Sequence, residues 1–321
     1  MLRHRVVVGL AGLMAASVLV MAQVILTVLA PGDQLEASCT GEWASLTQTP
    51  TMITADCVEP PPPPPPITTL VIDHTSVALF DQVPLADAQA LRVLSVDKSV
   101  GWNIHHALTA CLGVDAASSP NGCRRWAWQD GQYPSPPMTW TAHPLPGWQY
   151  YTWPGQSSPD GTPSLPCPDV SSDLACFESY LAAHATEWDV VSWQSSYLEA
   201  GSGLSAETYL ASYERVKALY SSLTIMLHTA SLPKCPGAGL TAFNVAIRDY
   251  WQANGGVLLD IADIETFDPY GSAWSAGADP AIAPHYNSET CGGHLGYPSS
   301  GKLRLAQAWW VALAQIAGWR P

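Results

Sequence analysis

The sequence predicts an α/β domain whose sheet is mainly parallel and covered by helices on both faces. Three observations carry this. Short, continuously apolar runs recur along residues 67–321, as strands buried on both faces require. Amphipathic helical stretches alternate with them, as parallel strands need a crossover of a dozen or more residues. One of these runs ends in Asp97-Lys98-Ser99-Val100-Gly101 and passes at once into a helical pattern, which is how a strand delivers a side chain to the carboxyl edge of such a sheet.

In chain order, the predicted strands are 70–73, 93–96, 190–193, 224–228 and 257–261, each rich in Val, Ile and Leu. The predicted helices are 100–112, 206–219, 241–253 and 302–317, where apolar residues recur at helical spacing. Residues 121–176 fit neither period. They are rich in Pro, Gly and Ser, and carry Trp126, Trp128, Trp140, Trp148, Trp153, Tyr150 and Tyr151. A long disulfide-pinned loop over the sheet edge is the expectation, its rings either forming a small core of their own or, as Trp126 and Trp128 suggest, stacking on a sugar.

The chain has 321 residues and a formal net charge of −14. That balance argues against nucleic acid as a partner, which calls for a basic footprint. Residues 6–30 contain no charge and follow Arg3 and Arg5. They predict either a membrane anchor or a cleavable signal segment over residues 1–30, and both export the rest. The membrane is then a partner through this segment if it stays attached. Eight cysteines without a C-x-x-C pair suit disulfides in an oxidising compartment. Local pairing of Cys39 with Cys57, Cys111 with Cys123 and Cys167 with Cys176 leaves Cys235 and Cys291. Residues 31–59 read as small, polar and irregular, and the seven prolines Pro60–Pro66 read as a stiff spacer. Residues 31–66 therefore form an extracytoplasmic linker, and the main domain is expected from Ile67.

Ser99 at the head of a helix would be exposed and close to backbone N–H groups that stabilise negative charge. Far downstream, Gly292-Gly293-His294-Leu295-Gly296 precedes the last helix. A serine hydroxyl attacks only when a base takes its proton, so this early serine and late histidine suggest Ser–His hydrolysis. His105 and His106 lie within the first helix without a well-spaced second ligand. His228, ending a strand, is a candidate substrate contact, with a satisfied core histidine as the commoner role. Asp260, Asp263 and Glu265 recur near another strand end, where a structural role is favoured over cation binding.

Taken together, Asp97-Lys-Ser-Val-Gly101, Phe243-Asn-Val-Ala-Ile-Arg-Asp-Tyr250, Leu259-Asp-Ile-Ala-Asp-Ile-Glu265 and Gly293-His-Leu-Gly through Trp319 resemble the SGNH (GDSL-like) hydrolase superfamily. Within it they are most similar to a divergent extracellular branch with a Ser-Val-Gly turn. The resemblance implies a three-layer α/β/α sandwich of SGNH-hydrolase or flavodoxin-like type, with Ser99 as nucleophile, His294 as general base, and neither cofactor nor metal. Ser99 N–H would be one oxyanion donor and Gly101 N–H a second. The chain departs from the family pattern in three places. Lys98 precedes the serine in place of an aspartate. Cys291 stands where an aspartate usually orients the imidazole, leaving Glu289, Asp263 or a backbone carbonyl to do so. Gln194-Ser195-Ser196-Tyr197 replaces the Gly-x-Asn-Asp block, leaving the Gln194 amide or the Ser195 hydroxyl as donor. The expected activity is removal of acyl groups, acetyl foremost, from a glycan or other extracellular ester. The alternatives are a catalytically weak or inactive binding module on the same fold, and an acyl- or glycosyltransferase using the same serine.

Overall fold

A computed structural model of the chain describes residues 69–108, 147–154, 162–167, 172–287, 289–295 and 301–321, together with three strands nearer the N-terminus. The chain divides into two compact units, Met1–Pro65 and Pro66–Pro321.

In the first unit, β1 (Ala22–Leu26) and β2 (Glu42–Gln48) flank β3 (Ile53–Val58) in an antiparallel sheet. Residues 31–59 are therefore not irregular throughout. Glu42-Trp-Ala-Ser-Leu-Thr-Gln48 and Ile53-Thr-Ala-Asp-Cys-Val58 alternate apolar with small polar residues, the period of a half-buried strand. Ala22–Leu26, inside the apolar run predicted to anchor or export the chain, is also a strand. No described helix is long and apolar enough to cross a membrane.

The second unit is α/β, with a six-stranded sheet flanked by helices. Its strands are β4 (Thr69–Ile72), β5 (Val93–Asp97), β6 (Trp148–Thr152), β7 (Val190–Trp193), β8 (Thr224–His228) and β9 (Gly256–Leu259). They run in the order β4-β9-β8-β7-β5-β6, and every adjacent pair is parallel. All five residues of β5 are buried, as expected of a strand with helices on both sides.

On one side, α1 (Leu85–Gln89), α2 (Ser99–His106) and α8 (Gly301–Ile316) pack together. The short helix α7 (Ile261–Thr266) also joins α8. On the other, α3 (Asp173–His184) packs on α5 (Ala206–Leu219), and α5 and α4 (Tyr197–Ser202) pack on α6 (Ala238–Asn254). Ser172, Ser196 and Ser205 cap α3, α4 and α5 by accepting the N–H of Ala175, Leu198 and Thr208. Gly255 ends α6 at φ 70°, a conformation that suits glycine.

The strand missing from the sequence-based expectation is β6. Trp148-Gln-Tyr-Tyr-Thr152 lies in the Pro- and Gly-rich stretch read as a loop, yet it is an edge strand paired with β5 from Val93↔Trp148 to Asp97↔Thr152. Its aromatic rings suit a pleated, partly buried surface, and their period was obscured by the irregular chain around them. Trp126, Trp128 and Trp140 lie outside the described residues. Cys167–Cys176 and Cys235–Cys291 are disulfides. Cys39, Cys111 and Cys123 lie outside the described residues, and with them the other two expected pairs.

Without β4, the strands run in the flavodoxin-like order of second, first, third, fourth, fifth. The chain leaves β5 toward β6 on one side and leaves β7 toward β8 on the other. The carboxyl ends of β5 and β7 therefore flank a topological switch point, where open α/β sheets place their sites.

Candidate active site

Ser99 is the first residue of α2, and Lys98 occupies the cap position without a side-chain cap. The turn is shaped by the residue at the end of β5. Asp97, 1% exposed, folds its carboxyl back beneath the helix start, where Oδ1 accepts Lys98 N–H at 2.5 Å. A Cβ on Gly101 would lie 2.2 Å from Asp97 Cβ, so glycine is required there. The Gly101 N–H acts on the same carboxyl. Ser99 N–H has no partner among the described residues, so it can meet a developing negative charge.

Burial pushes Asp97 well above the usual carboxyl range, against the lowering effect of the Lys98 N–H. The Tyr150 hydroxyl, from the unforeseen β6, donates to Lys98 O at 2.9 Å, and Trp153 N–H donates to Asp97 O at 3.3 Å. The aromatic segment thus buttresses the serine turn. Lys98 turns toward Glu199 at 2.6 Å and Asp173 at 3.4 Å, joining the turn to α4 and α3. Burial works against its charge, and these carboxylates outweigh it, so its affinity for a proton is raised.

His294 is held by Glu289 through both its ring and its backbone. Glu289 Oε1 meets His294 Nδ1 at 2.8 Å, and Glu289 Oε2 accepts the His294 backbone N–H at 3.2 Å. Glu289 is thus the acid that orients the imidazole. Asp263 instead pairs with His74 Nδ1 at 2.5 Å. Burial alone would raise the Glu289 carboxyl. The His294 N–H groups and charge, with Asn287, outweigh it and hold Glu289 below its usual range. An ionised Glu289 accepts from Nδ1–H, which leaves Nε2 with the lone pair a base needs.

Two glycines make this fit possible. A Cβ on Gly292 would lie 1.6 Å from Glu289 Oε2, and one on Gly293 would lie 2.7 Å from the Tyr197 ring. Cys291 adjoins them in its disulfide with Cys235, and Lys234 N–H donates to Gly292 O at 3.1 Å. The histidine loop is therefore tied to the loop after β8.

Asn103 links the serine to the histidine. It is 3% exposed, one helical turn beyond Ser99 on the same face, and its Oδ1 accepts Leu295 N–H at 2.8 Å. The residue after His294 is thereby fixed to the serine helix. Tyr197, heading α4, meets the His294 ring edge-on at 6.3 Å. No hydrogen bond joins Ser99 Oγ to the imidazole among the described residues. Such bonds are often long in unliganded sites and tighten with substrate.

Gln194 follows β7 directly, and its N–H donates to Val96 O at 3.0 Å, which sets it beside Asp97. Its side chain is buried and Nε2 has no partner among the described residues, so this amide is a candidate oxyanion donor. Ser195 and Ser196 are buried as well, Ser196 Oγ bonding Glu199.

His228 is 2% exposed, bonds Ser192 Oγ through Nε2 at 2.7 Å and packs on Trp309. Burial pushes its pKa down to about 3. It is a neutral core residue, and the expected substrate contact is not made there. His105 accepts Trp148 Nε1–H at 3.0 Å, and His106 faces Lys302 Nζ at 3.2 Å. Asp260 pairs with Arg248, and the buried Glu265 accepts Leu232 N–H at 2.6 Å. No group of His, Cys, Asp and Glu among the described residues could hold a metal ion.

Sequence reasoning missed Asn103, and it gave Tyr150 and Tyr197 no contact with the serine turn or the histidine. Only Asn103 left a signal, as a polar residue on the apolar stripe of a helix. No protein-family model and no curated protein matches this chain.

Proposed function

We propose that the chain is an exported serine esterase of SGNH type that removes small acyl groups, acetyl foremost, from a glycan or other extracellular ester. The observation that carries this reading is the Glu289–His294 pair, tied through Leu295 and Asn103 to the helix that Ser99 opens, at the switch point between β5 and β7. The two disulfides and the charge-free N-terminal run favour export.

In this mechanism, His294 Nε2 takes the Ser99 Oγ proton as Oγ attacks the ester carbonyl carbon. The oxyanion receives hydrogen bonds from Ser99 N–H and Gln194 Nε2–H. Collapse breaks the bond to the alcohol, which leaves with the proton from His294, and the acyl group stays on Ser99. Water, deprotonated by the same imidazole, releases the acid and restores Ser99. Glu289 holds the imidazole in the required tautomer and stabilises the imidazolium.

The test is hydrolysis of p-nitrophenyl acetate by the full chain and by Ser99→Ala and His294→Ala, with fluorophosphonate labelling in parallel. Loss of turnover in both variants and loss of labelling in Ser99→Ala are expected. Equal turnover in all three removes the mechanism. A folded protein without turnover or labelling is a binding module on the same fold.

A further inference from the structure

Beyond the carboxyl end of β9, α7 leads into a loop that exposes two large rings, Tyr270 at 52% and Trp274 at 37%. The loop is organised by the buried Asp268. Its Oδ1 accepts Tyr270 N–H at 2.8 Å and Ser272 N–H at 2.9 Å, and its Oδ2 accepts Trp274 Nε1–H at 3.2 Å. Trp274 N–H donates to Thr266 O at 3.0 Å, and Gly271 turns the chain at φ 85°. Both rings meet the buried His285 edge-on, at 5.9 and 6.1 Å. The hairpin that follows, β10 (Ser275–Ala276) with β11 (Asp279–Pro280), is fastened to α6 by Thr241 Oγ1–H on Asp279 Oδ1 at 2.6 Å.

An exposed indole oriented by a buried carboxylate is set for a ligand and adds little to the core. The residues around the rings, Gly271, Ser272, Ala273, Ser275, Ala276, Gly277 and Ala278, are small, uncharged and exposed. Ser272 and Ser275 bring hydroxyls to the same loop. We propose that Tyr270 and Trp274 form a stacking platform for a neutral glycan chain. Reading that chain as carrier of the acyl group rests on the esterase function above; the binding itself does not.

The chemistry favours a sugar. A pyranose ring has an apolar C–H face that packs on an aromatic ring, and hydroxyls at its rim that reach Ser272 and Ser275. A protein partner in a stable complex covers about 800 Å² on each side, far more than two rings on a small-residue loop offer. The net charge of −14 repels acidic polymers. The loop follows β9 and α7 while Ser99 follows β5, so both come after the carboxyl ends of strands of one sheet.

The experiment is calorimetry and affinity electrophoresis on the full chain carrying Ser99→Ala, with xylohexaose, cellohexaose, N-acetylchitohexaose and polygalacturonate as probes. At least one neutral probe is expected to bind. Trp274→Ala and Tyr270→Ala should each weaken it about tenfold in protein that circular dichroism shows to be folded, and Trp274→Phe should keep part of the affinity. Absence of binding by all three neutral probes, undiminished binding by both alanine variants, or preference for polygalacturonate overturns the platform. Hydrolysis of p-nitrophenyl acetate by the chain with Ser99 intact is read separately. Turnover without glycan binding removes the platform alone, and binding without turnover removes the esterase alone.

Discussion

Replacing Glu289 by glutamine tests the core of the proposed mechanism, because the two oxygens of Glu289 face two N–H groups of one residue. Oε1 lies 2.8 Å from His294 Nδ1 and Oε2 lies 3.2 Å from His294 N. The backbone N–H can only donate, so the single amide oxygen of glutamine must turn to it, which sets the amide NH₂ against Nδ1. The ring then either suffers a clash of donors or moves its proton to Nε2, where it can no longer act as a base. A donor left unpaired costs about 1–3 kcal/mol. Losing a carboxylate about 4 Å from the imidazolium costs roughly 1–4 kcal/mol between bulk water and a protein surface. The side chains of His294 and Glu289 are each 39% exposed, which puts both terms toward their low ends. Together they amount to about 2 kcal/mol, a fall in kcat of about thirtyfold. In steady-state hydrolysis of p-nitrophenyl acetate, KM should stay within about twofold, since the lost interaction acts on the transition state. A variant whose kcat lies within about threefold of the parent would refute the assignment of Glu289.

Four further outcomes follow from the same geometry. Gly292→Ala places a Cβ 1.6 Å from Glu289 Oε2, so it should lower kcat as Glu289→Gln does, and the double variant should fall no further in the same assay. Removing the Cys235–Cys291 disulfide, whose cysteines are 56 residues apart, should cost about 4 kcal/mol through the freer unfolded chain. By calorimetry that is a fall in Tm of roughly 10 °C, and kcat should drop with it as the histidine loop loosens. Asn103→Leu leaves Leu295 N–H buried without its acceptor, which should cost about 1–3 kcal/mol in urea unfolding and reduce kcat more than KM. Burial raises both Asp97 and Glu265 well above the usual carboxyl range. Each then contributes stability that is complete below the ordinary carboxyl range and lost as pH rises through the raised values. The Asp97→Asn/Glu265→Gln variant should therefore lose less Tm than the parent between about pH 5 and pH 9, and an unchanged slope would refute neutral carboxyls.

The sheet was legible because its strands are locally unambiguous. Val93-Leu94-Ser95-Val96 and Val190-Val191-Ser192-Trp193 are buried on both faces, so their apolar content is continuous and no neighbouring segment is needed to read them. The edge strand β6 was not legible. Trp148-Gln-Tyr-Tyr-Thr152 becomes a strand by pairing with β5 and by giving the Tyr150 hydroxyl to the serine turn, and both are contacts with distant residues.

By itself, the sequence determined the α/β class and most strand positions, and it singled out Ser99 and His294 as candidates, because each is written in short-range pattern: apolar runs, a Ser-Val-Gly turn, a Gly-Gly-His loop. The tertiary structure decided how these pieces work together. It chose Glu289 over Asp263 as partner of His294, because Gly292 leaves room for the one and His74 captures the other. It packed Asp97 against Gly101, and it buried His228 in the core. Those choices depend on which side chains the sheet brings within hydrogen-bond range across long separations, and no local pattern records that.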